Sequence, residues 1–269
     1  MKDIGTTDER HLRVSVATLV RLAATSEDGN QILVLERKAT YQEADGRVTV
    51  KAQPFGGAAR INDLARIEEV TGGFRFDSDR SRRERDFRIL IRPSAWEAVK
   101  AFCLNQFQAS EEAVFETSPV RELAEELHDS LGLQINPDQY TYHPLWTALE
   151  NKSASTANIH AEGQSTVRIY RVFEAQILDT GLARKLILNS ESTSDTNLRQ
   201  RALEDRRKGG KGRANACMVW PIESLHQYYG SLLLTERNAT ISYAGIILED
   251  NVSALLNSTS GSKFHFFTD

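Results

Sequence analysis

The sequence predicts an α/β fold, because segments with a strand pattern and segments with a helix pattern alternate along its 269 residues. Strands are indicated by β-branched, alternating runs, and helices by apolar residues that recur every three or four positions. The length suits one large domain, or a domain of about 150 residues that carries insertions.

A hairpin is predicted first, with strands over residues 12–20 and 31–37 and a polar turn between them. A shorter strand over 46–52 leads into Gly56 and Gly57, where the missing Cβ permits either a close approach to a ligand or an ordinary turn. Further strands are predicted at residues 87–91, 140–149, 165–175 and 218–220.

Two helices are predicted before the middle of the chain, over residues 61–70 and 94–107. The arginine-rich run 77–85 and the polar stretch 188–214 are predicted to be loops, the second of them mobile. The chain ends in an aromatic segment, 264–267, which we expect to dock onto the fold.

Composition narrows the classes of function. A net charge of -4 does not favour a nucleic-acid partner, and the two cysteines are too few for a disulfide framework. The N-terminus is polar, and no run approaches the ~18 apolar residues of a membrane span. We therefore expect a cytoplasmic protein without a membrane partner, and the sequence leaves its oligomeric state open, a homodimer included.

One acidic helix carries the chemistry. It is predicted to start at Ser118 and Pro119, and Glu122, Glu125 and Glu126 share one face at i, i+3 and i+4. The opposite stripe is apolar and comprises Val120, Leu123, Ala124, Leu127 and Leu131. Three crowded carboxylates repel each other, so this face is either solvated or binds a cation.

A basic, glycine-bearing stretch near residue 210 is a candidate phosphate site. Lys208, Lys211 and Arg213 supply flexible cations beside exposed backbone amides, although a solvated loop has the same composition.

The run Arg121-Glu122-Leu123-Ala124-Glu125-Glu126 resembles the second half of the motif of the Nudix hydrolase superfamily. The hairpin, the glycines Gly56 and Gly57, the strand 167–175 and the segment 219–225 follow in the order that is typical of this family. The resemblance covers roughly residues 12–250.

This resemblance implies an α/β/α sandwich around a mixed β-sheet, here with an inserted strand-helix segment. It implies hydrolysis of a pyrophosphate bond in a small-molecule nucleotide substrate, a nucleoside diphosphate linked to another moiety, with Mg²⁺ or Mn²⁺ as cofactor. Glu122, Glu125 and Glu126 would bind the metal with the Gly56 carbonyl, and Arg121 would brace a glutamate. The domain would span 12–256, with tails at 1–11 and 257–269.

The sequence also departs from the family motif. Between Gly57 and Arg121 lie 63 residues, so an insertion of about fifty residues, within 58–116, splits the motif. The first glutamate of the motif falls on Ala113, and Glu112 and Glu116 are the nearby alternatives. No general base stands out among the candidates Glu162, Glu174, Glu191 and Glu204. A nucleotide-binding or regulatory module that has lost turnover is therefore the alternative function.

Overall fold

The computed structural model describes residues 11–41, 48–109, 112–116, 118–150, 154–155, 164–192, 195–208, 214–231, 241–243, 246–257 and 264–268. Its strands are β1 (Leu12–Thr25), β2 (Gln31–Tyr41), β3 (Val48–Gln53), β4 (Phe55–Ala58), β5 (Arg75–Phe76), β6 (Arg88–Ile91), β7 (Tyr140–Glu150), β8 (Ala154–Ser155), β9 (Ser165–Ile177), β10 (Ala214–Pro221), β11 (Ile241–Tyr243), β12 (Ile246–Leu248) and β13 (Phe264–Phe267).

The helices are α1 (Leu64–Thr71), α2 (Asp79–Glu84), α3 (Trp96–Ala109), α4 (Val120–Leu131), α5 (Thr180–Ser192), α6 (Asp195–Arg207) and α7 (Ile222–Ser231). Short 3-10 helices cover Pro93–Ala95, Pro137–Gln139 and Asp250–Leu256. None of the helices in the described ranges is both long enough and apolar enough to cross a membrane.

Strand β1 organises the sheet. Along one edge it pairs in parallel with β9 over twelve registered positions, from Leu12 to Ala23. Along the other edge it pairs antiparallel with three strands in succession, first β6, then β4 and then β2. This arrangement makes the sheet mixed, and it places the glycine strand β4 at the middle of the sheet.

The sheet extends on both sides of β1 and β9. Strand β2 continues past β1 to pair with β3 and also pairs with β10, while β9 pairs with β7 on its far edge. The last strand, β13, pairs with β7, and ring contacts join Phe264 to Tyr170 and Phe266 to Trp146. The expected docking of the aromatic C-terminal segment is confirmed.

Helices cover both faces of the sheet. On β2, Ile32 and Val34 pack with Leu123 and Leu127 of α4, and this cluster also includes residues of α5. The alternate β2 residues pack on the opposite face, in a cluster that includes Leu198 and Ala202 of α6 and Leu225 of α7. We call these the α4 face and the α6 face. The predicted α/β/α fold is confirmed.

The inserted segment forms a strand-helix unit on the α4 face. Residues of α1, α3 and β6 pack in a separate apolar cluster against Val14 and Val16 of β1. The segment returns to its starting point, because a β-bridge joins Ile61 to Phe115 and Glu116 N donates to Arg60 O at 2.8 Å. Its two ends are therefore neighbours.

The arginine-rich run does not form the loop that its charges predict. It forms the short helix α2, whose N-cap Ser78 accepts a hydrogen bond from Ser81 N. Ion pairs at i, i+3 and i+4 join Arg82 to Asp79 and Arg80 to Glu84. The interleaved acids that suggested a solvated loop thus stabilise a helical turn instead.

The polar stretch 188–214 is likewise not one continuous loop. Helix α5 extends to Ser192, and α6 occupies Asp195–Arg207. In α6, Leu198 and Ala202 stand four residues apart and are fully buried in the core of the α6 face. Two apolar side chains are enough to hold this polar helix on the sheet, because the sheet supplies the remaining apolar surface.

Candidate active site

Helix α4 is positioned by its apolar stripe. Leu123 and Leu127 are buried against β2 and β4, which turns the acidic side toward the glycine strand. At its N-terminus, Ser118 Oγ accepts a hydrogen bond from Val120 N at 3.3 Å. The helix ends at Gly132, whose left-handed backbone lets its N–H reach the His128 carbonyl.

The two glycines of β4 are both required, for different reasons. A Cβ on Gly57 would lie 2.1 Å from Glu122 Oε2, so the carboxylate of Glu122 rests directly on this backbone. Gly56 has a φ of 138°, and a Cβ there would meet the backbone oxygen of Thr18 at 2.2 Å. The close approach that the sequence left open is therefore made to Glu122 and to β1.

Arg121 lies among three glutamates. Its Nη2 lies 2.5 Å from Glu122 Oε1 and its Nη1 lies 2.8 Å from Glu125 Oε2. Its Nε donates to Glu116 Oε2 at 2.7 Å, so of the two nearby alternatives, Glu112 and Glu116, it is Glu116 that has a described ion pair with Arg121. Burial lowers the pKa of Arg121, but the hydrogen bond to Glu116 and the surrounding carboxylates raise it above its ordinary value.

Glu36 was not identified from the sequence. It lies on β2, is fully buried, and its charge acts on Glu126 of α4. Ser130 Oγ donates to Glu36 Oε1 at 2.5 Å, and Gln53 Nε2 donates to Oε2 at 2.7 Å. Lys38 Nζ lies 2.9 Å from Glu36 and 3.9 Å from Glu126. Glu36 thus joins the sheet to the acidic face of α4.

These contacts raise two carboxyl pKa values. Burial, then the charge of Glu36, raise the pKa of Glu126 to about 7. Burial also raises the pKa of Glu122, and the positive charge of Arg121 partly opposes this shift. Both shifts mean that negative charge is costly at this end of α4.

The chain was compared with known protein families and with known proteins. A family model described as the SMODS-associated NUDIX domain matches residues 11–200, which is well over half of the chain. The chain belongs to this NUDIX family. No curated protein and no solved structure matched it.

Negative charge exceeds positive charge in the candidate site of this NUDIX domain. Two cations, Arg121 and Lys38, face a set of carboxylates that comprises Glu36, Glu116, Glu122, Glu125 and Glu126. The Lys38 ammonium already occupies a cation position between Glu36 and Glu126. The oxygen donors and the excess charge fit a hard divalent cation, although no three acidic, histidine or cysteine side chains of the described residues are gathered as a metal-binding group.

The predicted substrate contacts lie elsewhere or outside the described residues. Lys208 follows α6, which packs on the other face of the sheet from α4, and no ion pair within the described ranges joins it to the α4 glutamates. Lys211 and Arg213 lie outside the described residues.

Among the described residues, no ion pair or hydrogen bond joins the candidate general bases Glu174, Glu191 and Glu204 to the side chains of α4. Glu174 lies on the α6 face, 3.4 Å from Arg21 Nε, and Glu204 is an exposed residue of α6. Glu191 is exposed near the end of α5, and Glu162 is outside the described residues.

Proposed function

We propose that this NUDIX domain hydrolyses a pyrophosphate bond in a nucleoside diphosphate linked to another moiety. One observation carries the proposal: the Glu122 carboxylate rests on Gly57, although 63 residues separate Gly57 from Arg121 in the sequence. This contact supports the proposal, because it brings the glycines and the acidic helix together as the two halves of one motif would require.

Glu122, Glu125 and Glu126 would hold Mg²⁺ or Mn²⁺, together with the backbone carbonyl of Gly56. When bound, such an ion supplies positive charge at the phosphoryl oxygens and lowers the pKa of a coordinated water. The carboxylates support this assignment, because burial and neighbouring carboxylates raise the pKa values of Glu122 and Glu126, and a divalent cation would stabilise their charged forms.

Other side chains position these ligands. Arg121 fixes the orientation of Glu122 from one side and is itself anchored on Glu116. Lys38 links Glu126 to the buried Glu36 from the side of the sheet. Lys38 extends its ammonium group into the same site, where it can pair with a phosphate oxygen of the substrate. Lys208, Lys211 and Arg213 remain predicted phosphate contacts.

The test is product release from a panel of dinucleoside diphosphates and nucleotide-sugar diphosphates, each with Mg²⁺ or Mn²⁺. The double variant Glu125→Gln plus Glu126→Gln should lower turnover by roughly 100-fold or more. Glu112→Gln is the matched control, because this exposed glutamate precedes α4 and has no described ion pair with Arg121 or Lys38. Equal activity of the double variant and the wild type would overturn the assignment.

A binding module is the second candidate function. Its supporting observation is Arg121, which pairs with two of the three α4 glutamates and so competes with any metal for them. In this case, the wild type would bind nucleotides from the same panel, measured by calorimetry, and release no product with either metal. That pair of results would replace hydrolysis by nucleotide binding.

A further inference from the structure

Arg21 is a largely buried arginine whose hydrogen bonds are incomplete. Its side chain is 18% exposed, and its Nε is buried with no hydrogen-bond partner. Among the described residues it makes one ion pair, in which Nε lies 3.4 Å from Glu174 Oε2. The geometry of this contact is not that of a hydrogen bond. A guanidinium group in this position is costly unless something else satisfies it.

Arg13, on the same face of the same strand, shows how the fold satisfies a buried arginine. Its side chain is 4% exposed, and both Nε and Nη2 lie 2.8 Å from Asp77 Oδ2. The contrast indicates that Arg21 is not held for the stability of the fold alone. The exposed 18% of the Arg21 side chain is the part that a partner from outside the chain can contact.

A cleft opens beside Arg21. Its volume is about 680 Å³, which is within the range of ligand sites in proteins. It lies at the carboxyl ends of the parallel strands β1 and β9, where open α/β sheets commonly bind ligands. The polar residues that line it are Arg21, Asn30, Gln31, Glu174, Gln176 and Glu223.

This cleft is separate from the candidate active site. Arg21 lies two positions after Leu19 on β1, and Glu174 lies two positions after Val172 on β9. Leu19 and Val172 pack in the core of the α6 face, so Arg21 and Glu174 lie on that face as well. Glu122 and Glu126 belong to α4, on the other face of the sheet. A ligand in the cleft therefore cannot touch the α4 carboxylates.

The charged side chains that line the cleft favour one class of ligand. One guanidinium group stands among two carboxylates, Glu174 and Glu223. Burial, then the charge of Arg21, lower the pKa of the nearby His226, so this histidine adds no full positive charge near neutral pH. A dianionic phosphate would meet two carboxylates and one cation. A ligand with one carboxylate and one ammonium group matches both signs.

We propose that the Arg21 cleft binds a small zwitterion of the amino-acid class, with its carboxylate on Arg21 and its ammonium group toward Glu174 and Glu223. The amide side chains of Asn30, Gln31 and Gln176 supply donors and acceptors for the rest of the molecule. The proposal does not depend on the proposed hydrolysis.

Isothermal titration calorimetry of the full chain tests it, with glycine, L-leucine, L-glutamine and L-lysine as probes and AMP as a dianionic comparison. At least one amino acid should bind, and its N-acetyl and amide derivatives, which each lack one charge, should bind more weakly. Arg21→Met keeps the apolar stem and should weaken binding by about tenfold or more. Glu126→Gln, on the other face, should leave the affinity unchanged.

Glu223→Gln keeps the test decisive if Arg21→Met does not fold. Glu223 is exposed in the first turn of α7, so its replacement should weaken amino-acid binding without unfolding the chain. If none of the amino acids binds, the proposal is overturned. AMP binding that Arg21→Met weakens and Glu126→Gln leaves intact also overturns it, as does amino-acid binding that Glu126→Gln abolishes and that Arg21→Met and Glu223→Gln leave intact.

Discussion

Arg121 of α4 is tied to Glu116, the last described residue of the inserted segment, by contacts of 2.7 Å from Nε and 2.6 Å from Nη2 to the same carboxylate oxygen. The start of that segment is close by, because Ile61 bridges Phe115. An insertion with neighbouring ends can be added to a fold without moving the flanking parts. This explains how Gly57 and Glu122 remain in contact across the insertion.

We expect Glu116→Ala to destabilise the fold by about 1–2 kcal/mol, because it leaves the partly buried Arg121 without its best-aligned partner. Glu112→Ala is the control. Its side chain is exposed, and its backbone carbonyl, which accepts from Asn62, is kept. Urea unfolding measures both variants, and an equal loss for the two would argue against Glu116 as the anchor of Arg121.

Much of the candidate site follows from local patterns in the sequence. The spacing of Glu122, Glu125 and Glu126 places them on one helix face, and Gly56 and Gly57 mark a close backbone approach. Glu36 could not be found in this way. It is separated from Ser130 by 94 positions, and only the packing of β2 against α4 brings their side chains together.

The two wrongly predicted loops have one physical cause. Helices α2 and α6 are rich in charged residues, and their sequences contain almost no apolar periodicity. Helix α2 is stabilised by its N-cap Ser78 and by ion pairs on its own surface. Helix α6 depends on Leu198 and Ala202 reaching a sheet surface whose position the sequence does not reveal.

Gly57→Ala tests the contact between the glycine strand and α4. The added methyl group would overlap Glu122 Oε2, so the carboxylate must move, at a cost of about 1–3 kcal/mol in unfolding free energy. We also expect weaker Mn²⁺ binding, measured by electron paramagnetic resonance.

Gly181→Ala is the control. The nearest atom to its new Cβ is Asp179 Oδ1 at 3.2 Å, so the change in unfolding free energy should be small. Wild-type Mn²⁺ affinity in Gly57→Ala would show that Glu122 is not a ligand.

Arg85→Gly tests the observed helix α2. Arg85 closes this helix with a left-handed backbone, φ 56° and ψ 34°, which glycine adopts without steric cost. The substitution should stabilise the fold by about 0.5–1 kcal/mol. Arg83→Gly, within the same helix and equally exposed, should instead destabilise it by about 1 kcal/mol. If residues 79–84 formed a loop, the two variants would behave alike in thermal unfolding.

Glu126 should make the stability of the fold fall as pH rises. Its pKa is about 7 in the folded state, against an ordinary value of 4.5, so the folded chain holds this proton more tightly than the unfolded chain does. The contribution of Glu126 to stability is therefore most favourable below pH 4.5, falls between pH 4.5 and 7, and is a constant penalty of about 3 kcal/mol above that window. Glu126→Gln removes the ionisation, so in EDTA it should be more stable than the wild type at pH 8 and nearly equal to it at pH 5.

Glu125→Gln is the control, because this carboxylate is 57% exposed and its replacement should leave the slope of stability against pH unchanged. Parallel curves for wild type and Glu126→Gln in urea unfolding would mean that the Glu36–Glu126 contact does not form.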